Sequence, residues 1–167
     1  MKKSILTFFI CMWVVFGFSQ SLKKNGTVYI NHPHIEVIKK AVQGYLTQNK
    51  ELWSSCYADT AKFWISGMDM KKWVSKKENL DILGYDYKFF KNINIKQLGY
   101  PDYIEYEKDN DRVAQAWWTW TGISKKSGKQ FIVEFVIFSW FNKDGKIVKE
   151  ATYGDFSKVF KEEGLNF

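Results

Sequence analysis

Trp117, Trp118 and Trp120 crowd four consecutive positions of the stretch AWWTWTG at residues 116–122. Indole rings can stack on flat ligands, stack on bases or fill a core, so the direction of each ring decides which use is open to it. Tyr45 is either a hydrogen-bond donor into a pocket or a helix-face tyrosine whose hydroxyl is satisfied inside the fold. His32 and His34 could ligate a metal, but no third ligand stands near them in the sequence. Capping or solvent exposure is the expectation there, and no metal or cofactor is assigned. Cys56 falls on an apolar helical face and reads as a buried structural thiol rather than a nucleophile. The chain carries no Gly-rich phosphate loop, no H-E-x-x-H and no nucleophile elbow.

The elements that must position these groups show in the hydrophobic period. Asn31-His32-Pro33-His34 starts a helix, with Pro near the first helical position. Ile35, Ile38, Val42, Tyr45, Leu46, Leu52, Trp53 and Cys56 follow at helical spacing. This predicts one amphipathic helix, or a pair broken near Asn49-Lys50. Residues 57–60 read as a turn and 61–65 as a short strand. Asp69 is the expected cap of a second helix, which carries Met70, Trp73, Val74, Lys77 and Leu80 and ends at Gly84. From Tyr85 the period becomes two, through Tyr87 and Phe89 and then Ile93 and Ile95. A break at 99–102 precedes strands over 103–107, 112–123, 130–141 and 146–153, joined by turns of Gly, Asn and Asp. Helices followed by an antiparallel meander indicate an α+β fold with helices on one face of a sheet.

Side chains alternate faces along a strand, so Trp118 and Trp120 share a face with Ala114 and Ala116, and Trp117 points the other way with Gln115, Thr119 and Thr121. On the next strand Phe131, Val133, Phe135 and Ile137 are all apolar, whereas Glu134, Phe138 and Trp140 belong to a mixed face. A one-residue slip would exchange the faces, so the register should set apolar against apolar. Trp118, Trp120, Phe131, Val133, Phe135 and Ile137 are then expected beneath the helices. Gln115, Trp117, Glu134, Phe138 and Trp140 form an outer face aromatic enough to call for a partner subunit.

Composition agrees with one globular domain: 167 residues, 46% hydrophobic and 26% charged. The 19% aromatic share asks for a dense core or a lined cavity. Met1-Lys2-Lys3, the apolar run over 5–18 and the flank Ser19-Gln20-Ser21 read as a secretory signal peptide. The run is short for a membrane-spanning helix. The expected division is a signal peptide over 1–19, an N-terminal extension over 20–33 and one domain over 34–167. The product would be exported to the periplasm or the exterior, with no stable membrane anchor after cleavage. Loss of Lys2 and Lys3 lowers the formal charge from +7 to +5, a weak signal for nucleic acid. No basic residue threads the strand over 114–121, so nucleic acid is not an expected partner. The mature chain keeps only Cys56 and can form no internal disulfide, so burial must carry stability.

The order of elements resembles the nuclear transport factor 2-like superfamily, with its SnoaL-like and ketosteroid-isomerase-like branches. The residues that carry the likeness are Val42-Gln43-Gly44-Tyr45-Leu46, Tyr57-Ala58-Asp59-Thr60-Ala61, Trp118-Thr119-Trp120-Thr121-Gly122, Phe141-Asn142-Lys143-Asp144-Gly145-Lys146-Ile147-Val148 and the ending Tyr153-Gly154-Asp155. It spans residues 34–156. The resemblance implies a cone, in which a curved antiparallel sheet wraps N-terminal helices around a pocket, often with dimerisation through the outer face. Together with the inner-face reading it points to Tyr45, Trp64, Trp118, Trp120, Phe135, Ile137 and Tyr153 as ligand-binding residues. The isomerase branch works with a tyrosine donor, a protonated acid and a carboxylate base. Tyr45 matches the tyrosine. The base position falls near Trp64 or Ile65 and the second acid near Ile137, and neither place holds a carboxylate. Asp69, Glu134 and Glu150 are the nearest acids, and the register of the last hairpin leaves the direction of Glu150 and Tyr153 open. The expected function is binding of a small, largely apolar molecule in an aromatic pocket, with no catalytic residue assigned. The alternatives are an isomerase, cyclase or lyase using Glu150 or Asp69, and a non-catalytic structural or dimerisation domain.

Overall fold

The computed structural model describes residues 24–66 and 73–164. The expected signal peptide and Asp69 lie outside the described residues. Helix α1 runs over Pro33–Leu46 with Pro33 in its first turn, and the His32 side chain caps it by accepting from the His34 amide at 3.2 Å. The expected break is real: Asn49 caps a separate short helix α2, Lys50–Ser54, by accepting from the Leu52 amide at 2.8 Å. Gly44 sets how closely the two helices pack. A Cβ there would lie 2.6 Å from the Trp53 backbone nitrogen, so only glycine fits.

Seven strands form one sheet in the order β1-β4-β5-β6-β7-β2-β3. They are β1 (Gly26–Tyr29), β2 (Tyr57–Ile65), β3 (Val74–Ser75), β4 (Phe90–Tyr106), β5 (Arg112–Ser124), β6 (Gln130–Phe141) and β7 (Ile147–Gly154). All neighbours are antiparallel except β2 and β7, which run parallel. Register shifts interrupt β4 against β5 after Lys91 and after Leu98, and β6 against β7 after Trp140. Such bulges bend a strand and add twist, and the sheet curves around the helices without closing. The α+β fold expected from the sequence is the one observed.

Several local expectations need correction. Residues 57–60 are the start of β2, not a turn. The break at 99–102 is a bulge inside the single long strand β4. Helix α3 spans Lys76–Ile82, and its cap is Ser75, which forms a capping box with Glu78. The alternating Tyr85, Tyr87 and Phe89 belong to a 3-10 turn over Tyr85–Lys88 and its end, not to a strand. A last helix, α4 over Ser157–Glu162, was not foreseen. Strand β1 lies within the segment read as an extension and pairs with β4.

The two faces of β5 and β6 fall as the alternation predicts. Trp118 pairs with Phe135, Trp120 with Val133 and Ala116 with Ile137. Ala114, Ala116, Trp118 and Trp120 are buried, whereas Trp117 is 37% exposed. Gly122 makes room for this arrangement, because a Cβ there would stand 2.5 Å from the Trp120 ring. Trp53, Tyr57 and Phe63 pack ring to ring at 4.3 to 5.4 Å beside them. Cys56 is buried at the same junction, and burial pushes its thiol up, as suits a structural residue.

Candidate functional site

Between α1, α3, α4 and the inner face of the sheet lies a cavity of about 520 Å³. Ile38, Ala41, Val42 and Tyr45 of α1 form one wall. Ile95, Trp120, Phe135, Ile137, Glu150 and Thr152 of the sheet form the facing wall. Ile82 to Asp86 and the residues Phe156, Val159, Phe160 and Glu163 border it further. An apolar cavity of this size with a few polar groups is the usual form of a small-molecule site.

Four of the seven expected residues come together here: Tyr45, Trp120, Phe135 and Ile137. Trp118 shares their face but is core, 4% exposed, with its Nε1 buried and lacking a hydrogen-bond partner among the described residues. Trp64 and Tyr153 are corrected. Their strands carry them to the outer face, where the two rings meet at 5.0 Å and Tyr153 is 47% exposed. Glu134 also points outward, opposite Thr119. His32 and His34 stack on Tyr103 and Phe141, at 3.7 and 4.2 Å, and do not reach the cavity.

Glu150 turns inward. It pairs with Ser139 on β6 and with Phe63 on β2, and it lines the cavity. Its Oε2 accepts hydrogen bonds from the Tyr57 and Ser139 hydroxyls, both at 3.1 Å. Burial raises its pKa to about 7, against the pull of those two donors. No cation among the described residues contributes to its balance, so the carboxyl is poised to gain or lose a proton near neutrality. The same burial, with the Glu150 charge, pushes the Tyr57 hydroxyl well above its ordinary range and keeps it a donor.

A second polar group closes the cavity elsewhere. The Tyr45 hydroxyl donates to Asp86 Oδ2 and accepts from Trp120 Nε1, the latter at 2.9 Å. Burial raises both the tyrosine and the Asp86 carboxyl above their usual values, and the Tyr45 donor partly offsets the shift at Asp86. Glu163, just past α4, is raised to about 7 by burial and by the Asp86 charge. Asp86 and Glu163 were both missed in the sequence. The first hides in the false strand period and the second beyond the last expected element.

Known structures share this arrangement of curved sheet and helices. IdmH of Streptomyces antibioticus, proposed to be a polyketide cyclase, superposes with a TM-score of 0.62 at 14% identity, over 80% of this chain and 100% of that one. An NTF2-like protein from Burkholderia thailandensis superposes with a TM-score of 0.60 at 10% identity, over 80% and 98% of the two chains. The chain has the nuclear transport factor 2-like fold. A protein of ketosteroid isomerase-like fold from Catenulispora acidiphila, solved in complex with trimethylamine, gives a TM-score of 0.57 at 13% identity, over 81% and 96%. No protein-family model and no curated protein matches the chain. At these identities the likeness concerns the nuclear transport factor 2-like fold and not an activity.

Proposed function

We propose that the protein binds a small, largely apolar molecule in the 520 Å³ cavity and moves a proton on it through the Glu150 carboxyl, in the manner of an isomerase, cyclase or lyase. The observation that carries this reading is Glu150 itself: inward, half-buried, held on one oxygen by Tyr57 and Ser139, and with a pKa of about 7. A general base works best when its pKa lies near the operating pH. The sequence supported binding without a catalytic group, and the inward turn of Glu150 supplies one. The cyclase proposed for IdmH and the trimethylamine of the Catenulispora protein belong to those proteins; the reading here rests on this chain's own cavity.

A carboxylate base that lines a cavity can be tested without the natural substrate. The probe 5-nitrobenzisoxazole loses its C3 proton to a base as its N–O bond breaks, and it releases a coloured cyanophenolate. Catalysis is expected to rise with pH about a midpoint near 7 and to fall at least about tenfold in Glu150→Gln. Equal rates for the wild-type protein and the variant would overturn the proton-transfer reading.

A subunit contact on the outer face is the second proposal. Trp117, Ile132 and Tyr153 leave a broad apolar surface exposed there, Ile132 at 63%. Sedimentation as a monomer at high concentration would remove it.

A further inference from the structure

We infer that the ligand of the cavity carries a positive charge on its apolar body, an ammonium group seated between Asp86 and Glu163. This rests on the proposal that the cavity binds a small molecule, and it names the class.

The charge of the lining runs against the charge of the chain. Lys and Arg outnumber Asp and Glu by 25 to 18 overall. Yet among the described residues the cavity is lined by three acids, Asp86, Glu150 and Glu163, and by no Lys, Arg or His. Lysines near the Asp86 end are engaged outside it. Lys88 lies 4.6 Å over the ring of Tyr85, and Lys125 donates to the Tyr87 carbonyl at 2.8 Å. Both are exposed and line a shallow neighbouring depression that Glu163 also borders. Lys76 is held by Asp59 and by the Tyr57 carbonyl.

An anionic ligand would enter this cavity with no countercharge to meet it. A neutral one would leave the Asp86 charge acting unrelieved on Glu163, whose carboxyl is held up at about 7 by burial and by that charge. A cation between them relieves the repulsion. Tyr45, Trp120, Phe156 and Phe160 add ring faces, which attract cations in a desolvated site. The deeper acid has a free acceptor as well: both hydroxyl donors of Glu150 go to Oε2, and Oε1 has no partner among the described residues. The charge at one end and the proton acceptor at the other can act on one elongated molecule. Glu150 stands opposite Ser139, level with Ala114 on β5, whereas Asp86 reaches β5 through Tyr45 at Trp120, six residues along the strand.

The test compares phenyltrimethylammonium with its uncharged isostere tert-butylbenzene at pH 8, read by the fluorescence of the cavity tryptophans Trp53 and Trp120. The cation is expected to bind at least about tenfold more tightly. Glu163→Gln should cut that preference to about threefold or less and leave tert-butylbenzene unaffected. Asp86→Asn is a second variant with the same expectation. Equal affinity, or tighter binding of tert-butylbenzene, overturns the charge preference and leaves the cavity reading standing. Failure of both probes to bind overturns the two together.

Discussion

The two polar constellations of the cavity differ in how much hydrogen-bonding capacity they leave open. At one, the Tyr45 hydroxyl both donates and accepts, to Asp86 and from Trp120, and is used up by the fold. At the other, two hydroxyls converge on a single oxygen of Glu150, and the second oxygen has no partner among the described residues. The tyrosine that the family resemblance singled out is therefore the more structural of the two groups. The carboxyl whose direction the sequence left open is the one with capacity for chemistry. The Tyr45 hydroxyl fixes a helix against a sheet, and the open carboxyl oxygen of Glu150 is left for a ligand.

This contrast can be broken by mutation, with the larger effect expected at Glu150. Its folded pKa of about 7 stands above its unfolded value of 4.5, so the folded protein holds a proton that the unfolded chain has released. Its contribution to stability is then fullest below pH 4.5 and is lost as pH rises through 7, by a total of roughly 3 kcal/mol. Glu150→Gln removes that loss. The variant should melt on the order of 10 °C higher than the wild type at pH 8 and at nearly the same temperature near pH 4. A melting difference independent of pH would mean that Glu150 is not a buried titrating acid.

Tyr45→Phe should act in the opposite direction and more weakly. It strips Asp86 of its donor and Trp120 Nε1 of its acceptor, at a cost of about 1–3 kcal/mol. Denaturant unfolding should show this loss at pH 6 and at pH 8 alike, with 5-nitrobenzisoxazole turnover retained in the folded variant. Loss of turnover without loss of stability would reverse the roles assigned to the two constellations.

What the sequence made legible follows from strict periodicity. The inner set of β5 and β6 could be read because alternation holds without interruption from Val113 to Ile123 against β6. The direction of Glu150 could not, because the shift between Trp140 and Phe141 puts an extra residue into β7. Counting alternation from the preceding turn therefore fails. Asp86 was masked by an aromatic alternation that turned out to be a 3-10 turn, where side chains eclipse every three residues. Helix α4 has only six residues and no side-chain cap, which leaves little pattern to detect. Trp64 and Tyr153 were drawn inward by the resemblance, although their strand parity carries them out.

The parallel pairing of β2 with β7 has a consequence for how the protein acquires its site. Tyr57 and Glu150 are 93 positions apart in the chain, and β4, β5 and β6 come between their strands in sequence although β2 and β7 are neighbours in the sheet. Loop closure over such a distance is entropically late, and long-range sheet pairing folds slowly. The carboxyl therefore takes its Ser139 donor from the local β6–β7 hairpin, 11 positions away, and its Tyr57 donor only when β2 and β7 are brought together across 93 positions.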